Sequence, residues 1–157
     1  MFARNAHPEV QLLDGIELFR GCTQRELRAV APLLCPVDVQ PGSVLTREDD
    51  FASQFLVVVA GTARSTNAAG DSGFVGRGSV IGEQALDRQA RADVTTVAST
   101  RMTVLAATPS ELRRIVELAS SVRRTLYPSE PLRPRRVRIA SRAAERSLLR
   151  RFRMTSI

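Results

Sequence analysis

Phe55-Leu56-Val57-Val58-Val59-Ala60-Gly61-Thr62-Ala63 reads as a β-branched apolar run, a glycine turn and the start of a second strand. Outward from it the same texture repeats. Short runs at Val37 to Val39, Val44 to Thr46, Thr62 to Ser65, Gly73 to Val75, Asp93 to Ala98 and Met102 to Ala106 are separated by turns. The turns fall at Pro41-Gly42, Ala60-Gly61, Asn67 to Gly70 and Gly76 to Gly78. Closely spaced short strands with glycine turns and no helical periodicity predict an antiparallel barrel or sandwich over residues 37–106.

Helical patterns flank this region. Upstream, an amphipathic stretch from about Pro8 to Phe19 is broken at Gly15 and stopped by Gly21. Thr23-Gln24-Arg25-Glu26 then has capping-box spacing ahead of Leu27, Val30, Ala31 and Leu34. Downstream, Thr108-Pro109-Ser110-Glu111 combines the same spacing with proline at the first helical position. The stripe Leu112, Ile115, Val116, Ala119, Val122 and Leu126 predicts a single packed helix over residues 109–126 that ends before Pro128.

The chain has 157 residues, enough for one domain with its own core. With no Trp and one Tyr, that core is expected to be aliphatic, with six Phe as the bulky anchors. Cys22 and Cys35 stand apart from any Cys-x-x-Cys or Cys/His cluster, so they read as buried free thiols, and neither zinc nor a disulfide framework is indicated. No run approaches the roughly 18 apolar residues of a membrane span, and the N-terminus lacks a signal-peptide core, so the expected location is the cytoplasm.

The formal charge of +7 is unevenly distributed. Residues 1–130 carry 14 Arg against 15 Asp and Glu, whereas residues 131–157 carry 9 Arg against Glu145 alone. The domain of residues 8–127 is therefore close to neutral, and an Arg-rich tail, residues 128–157, follows it. Within the tail, Ile139 to Phe152 reads either as a weakly amphipathic helix or as unstructured chain. The arginines could grip nucleic-acid phosphates non-specifically and with steep salt dependence, or merely keep the chain in solution.

Chemistry concentrates in Gly78-Ser79-Val80-Ile81-Gly82-Glu83-Gln84-Ala85-Leu86-Asp87-Arg88-Gln89-Ala90-Arg91-Ala92. A glycine bend entering a helical turn leaves amide hydrogens directed at an anion. Ala85 leaves room for close approach, and Arg91 offers a planar charge-assisted fork. Glu83 can accept from a sugar hydroxyl and repels a bare polyphosphate. Taken singly, Gly78 and Gly82 are ordinary turn glycines, Glu83 a solvated carboxylate and Arg91 one arginine among 23. Only their order and company suggest a site. Isolated His7 and the scattered serines Ser79, Ser110 and Ser121 form no triad, and no paired carboxylates stand out, so the sequence offers no catalytic residue.

These residues resemble the cyclic nucleotide-binding domain family, the sensor module of catabolite activator proteins, cyclic-AMP-dependent kinase regulatory subunits and cyclic nucleotide-gated channels. The resemblance spans about residues 10–127: Leu18-Phe19 with Leu27, Pro41-Gly42-Ser43-Val44-Leu45, Phe55 to Ala63, and above all Ile81-Gly82-Glu83-Gln84-Ala85-Leu86 with Arg91-Ala92. It implies a mainly β fold with flanking helices, a double-stranded β-helix or jelly-roll barrel. It further implies that Gly82 makes the turn, Glu83 holds the ribose 2′-hydroxyl, Gln84 and Ala85 present amides to the cyclic phosphate, and Arg91 pairs with an exocyclic oxygen. Ala92, where many cyclic-GMP-selective members carry Thr or Ser, favours cyclic AMP, and residues 109–126 would act as a lid over the base.

The sequence departs from that pattern in a shortened link, Asp87-Arg88-Gln89-Ala90, between Glu83 and Arg91. Arg88 could compete for the anion, and Asp93 could pair with Arg91 when the site is empty. Three functions stay open. One is a ligand sensor acting on an effector protein or on its own dimerisation through the terminal helices. The second is a ligand-free interaction domain that has kept the fold. The third is a truncated transcriptional regulator touching DNA weakly through residues 131–157.

Overall fold

The computed structural model describes residues 8, 10–87 and 89–128; the expected Arg-rich tail beyond Pro128, together with His7 and Arg88, lies outside them. Eight strands pair into two four-stranded antiparallel sheets. The strands are β1 (Cys35–Val39), β2 (Val44–Thr46), β3 (Phe55–Ala60), β4 (Ala63–Thr66), β5 (Ser72–Val75), β6 (Val80–Ile81), β7 (Thr95–Ala98) and β8 (Met102–Ala107). One sheet runs β1-β8-β3-β6 and the other β2-β7-β4-β5, so among the described residues the ladders form two sheets and do not close into one barrel.

The period-two geometry of a strand explains why β3 is apolar at every one of its first positions. Phe55 and Val57 point into a cluster with Leu105, Ala107 and the helices, whereas Leu56 and Val58 point into the space between the sheets with Met102 and Val104. The first sheet is thus a middle layer, with helices on one face and the second sheet on the other. Its register is fixed by Leu56 opposite Ala106 and Val57 opposite Leu105. A slip of one residue would exchange the two apolar faces. After Ala60 the chain turns at Gly61, where a Cβ would lie 2.3 Å from the Arg101 carbonyl oxygen.

Helices α1 (Val10–Asp14), α2 (Gln24–Val30), α3 (Pro109–Leu118) and α4 (Ser120–Leu126), with 3-10 turns at Glu17–Phe19 and Ala31–Leu33, form the outer layer. Both capping boxes are made. Thr23 Oγ1 accepts from Glu26 N at 3.1 Å, and Thr108 Oγ1 accepts from Glu111 N at 3.2 Å, each glutamate returning to the threonine amide. Thr108→Ala is expected to cost about 0.5–2 kcal/mol, read as a lower urea midpoint with an unchanged m-value. A midpoint equal to that of the parent would show that Pro109 and packing alone start α3.

The single helix expected over residues 109–126 is two. The break falls at Ala119, whose φ of −127° and ψ of 93° are extended. The buried stripe is nonetheless continuous, with Leu112, Ile115, Ala119 and Val122 all inaccessible. α3 packs on α2 and β8 while α4 packs on the Glu17–Phe19 turn. Two short axes follow these two supports better than one straight rod. Ser121 Oγ, donating to the Gly21 carbonyl at 3.0 Å, fixes the second axis.

Two expectations about side chains need correction. Of the phenylalanines, Phe19 and Phe55 anchor the core, but Phe51 and Phe74 are 58% and 68% exposed; Phe2 and Phe152 lie outside the described residues. The cysteines are free but not both buried. Cys35 is exposed on the outer strand β1, and Cys22 is half-buried. Burial raises the Cys22 thiol above its ordinary range, with a further push from the Glu26 carboxylate and an opposing backbone bond with Val122. No helix among the described residues is long and apolar enough to cross a membrane.

Candidate functional site

Strand β6 is too short to show alternation, and sequence reading left it out, yet it delivers the site. Its two residues pair with Leu56 and Val57 and end at Gly82. Gly82 adopts φ 79° and ψ 28°, a left-handed conformation, and a Cβ there would lie 2.1 Å from the Gln54 carbonyl oxygen. Glycine is required twice over, by the dihedral and by the close approach of the residue leading into β3.

Glu83–Leu86 follows as a 3-10 turn. The Ala85 amide donates to the Gly82 carbonyl at 2.9 Å and its methyl is buried in the helical cluster, so the small side chain serves packing here. Gln84 is half-buried, and its carbonyl accepts from Asp87 N at 2.9 Å. Asp87 closes the turn, accepting from Gln89 N through its carboxylate at 2.9 Å and from Ala90 N through its carbonyl at 3.1 Å. Glu83 is half-buried and, with Glu17, Leu18, Val80, Thr125 and Leu126, lines a cleft of about 270 Å³. Its main-chain carbonyl accepts a hydrogen bond from the hydroxyl of Tyr127, just past α4.

Arg91 is set by a second segment that sequence reading did not connect to it. Residues 49–52 lie antiparallel to residues 90–92: Ala52 N donates to the Ala90 carbonyl at 3.1 Å, Asp49 N to that of Ala92 at 2.9 Å, and Ala92 N to that of Asp50 at 2.9 Å. Phe51 is paired opposite Arg91. The Arg91 guanidinium donates from Nη1 to the Asp49 carbonyl at 2.7 Å and lies 4.4 Å from the centroid of the Phe51 ring. Asp49 holds φ 67°, a left-handed conformation in a non-glycine residue.

The six residues expected to bind ligand are therefore neighbours along one bend but face different ways. Gly82 and Ala92 share the wall of a pocket of about 320 Å³ with Arg47, Asp50, Phe51 and Gln54; Glu83 faces the other cleft; Ala85 faces the core; Arg91 is exposed and lines neither space. Arg88, the alternative cation, is outside the described residues. Phe51, Asp49, Gln54 and Tyr127 are the additions. Tyr127 had a signal, being the chain's sole tyrosine at the end of an apolar stripe. The others had none, because the bond between Asp49 and Arg91 spans 42 positions.

This architecture is that of a known class of regulatory module. The chain belongs to the cyclic nucleotide-binding domain family, whose family model matches residues 36–118, more than half of its length. It is 34% identical over 91 residues to the acetyltransferase Pat of Mycolicibacterium smegmatis, a match covering 55% of this chain and 27% of that protein, so the chain spans about a quarter of the curated relative. A cyclic nucleotide-binding-like protein from Brucella abortus superposes with a TM-score of 0.56 at 28% identity, covering 69% of this chain and 97% of that one. A cAMP-binding acyltransferase from Mycobacterium smegmatis, solved as an arginine-to-lysine mutant, superposes with a TM-score of 0.58 at 29% identity, covering 69% of this chain and 35% of that one.

Proposed function

We propose that this chain is a non-catalytic sensor module that takes a cyclic nucleotide, cyclic AMP in preference to cyclic GMP, and passes its presence to the C-terminal helices. The observation that carries this reading is the bend itself. A glycine that tolerates no side chain leads into a turn, and Arg91, in an isolated bridge ahead of β7, is anchored to the Asp49 carbonyl. Gly82, Glu83, Gln84 and Ala85 surround the phosphate and ribose, Arg91 meets the anion, and Ala92 has no hydroxyl for a guanine. The description of one relative as cAMP-binding supports the choice of ligand. The strand orders support a jelly-roll winding of the two sheets. The helices at the two ends, and the arginines beyond them, are the surfaces proposed for a second copy, an effector protein or weak nucleic-acid contact.

A ligand that binds only the folded state raises its stability, by about 2.7 kcal/mol at one hundred times Kd. Thermal unfolding is expected to shift upward by several degrees with cyclic AMP, less with cyclic GMP and not with AMP. The Ala85 amide, already bonded within the turn, favours a second reading, a ligand-free interaction domain. No shift with any nucleotide at millimolar concentration would decide for it.

A further inference from the structure

We infer that Phe51, with the main-chain carbonyl of Asp49, is the positioning element that sets the affinity of the anion site by holding the Arg91 guanidinium in place; this rests on the sensor reading above. A guanidinium has five N–H donors in its plane and binds an aromatic ring through its face. In this structure one donor is committed to Asp49 O at 2.7 Å, and a face lies 4.4 Å over Phe51, which leaves in-plane donors for an anion. The backbone pairing of residues 49–52 with 90–92 fixes both partners relative to each other.

An arginine loses several rotatable bonds' freedom when it binds, and ordering it beforehand removes that cost from the binding step. An arginine without these two contacts would bind the same anion more weakly. Phe51 is 58% exposed, more than a core residue would be, and is paired only through an isolated bridge.

The experiment is cyclic AMP calorimetry on the full chain and on Phe51→Ala, Phe51→Trp, Arg91→Leu and the Phe51→Ala/Arg91→Leu double variant. Guanidinium NMR of Arg91 is measured without ligand. Phe51→Ala is expected to weaken binding about two- to five-fold, the size of an exposed cation–π contact. Phe51→Trp should keep the parent affinity, and Phe51→Ala should change nothing once Arg91 is leucine. The Arg91 Nη1 protons, which meet the Asp49 carbonyl, should give a resolved, slowly exchanging signal in the parent and a fast-exchanging one in Phe51→Ala. Unchanged or tighter binding by Phe51→Ala, an equal loss in the Arg91→Leu background, or an Nη1 proton signal indifferent to Phe51 would each overturn the inference. A parent that binds no cyclic nucleotide, yet shows Phe51-dependent protection of the Nη1 protons, would overturn the sensor reading and the positioning role while leaving the contact itself in place.

Discussion

Gly82→Ala is expected to be the most damaging single-methyl change at the bend. Two costs add. A left-handed φ of 79° in a residue with a Cβ costs roughly 1–2 kcal/mol. The added carbon would also lie 2.1 Å from the Gln54 carbonyl oxygen, a backbone atom that cannot rotate away. Relief requires prising residues 82–83 off the start of β3 and opening the two-residue ladder of β6. Together these are expected to destabilise by about 3 kcal/mol or more and lower the unfolding midpoint by on the order of 10 °C. Gly42→Ala supplies the comparison, because Gly42 has φ 86° but nothing within 4 Å of its Cβ position. If Gly82→Ala melts no lower than Gly42→Ala, the close approach to Gln54 is absent in solution.

Arg91→Leu is expected to leave unliganded stability nearly unchanged and to weaken cyclic AMP binding by about 10- to 100-fold. The first half follows from exposure: the side chain's contacts are one carbonyl and one exposed ring. The second follows from the roughly 1.5–3 kcal/mol assigned to a hydrogen bond with a charged partner. Calorimetry on the two proteins decides. An unchanged affinity would remove Arg91 from the site and make Arg88 the next residue to substitute.

The scaffold was largely legible because its signals are local. The apolar run at Phe55 to Val59, the two threonine-glutamate capping boxes and the turn glycines Gly42, Gly61, Gly70 and Gly78, all at positive φ, are each written within a few residues. β6 was not legible because two residues carry no period. The break at Ala119 was not, because alanine is the best helix former and only the differing supports beneath α3 and α4 divide them. At the bend, spacing picked out candidate residues but not the directions in which they face. Ala85 looked like clearance for a ligand and is core packing, and the seat of Arg91 depends on a loop far away in sequence.

The hydroxyl of Tyr127 grips the main-chain oxygen of Glu83. A carbonyl is present whatever amino acid occupies position 83, so this bond itself asks for no particular side chain there. Under the proposed sensor reading, the residues that choose a ligand can drift toward a new one while this tie between the bend and the end of α4 survives the retuning.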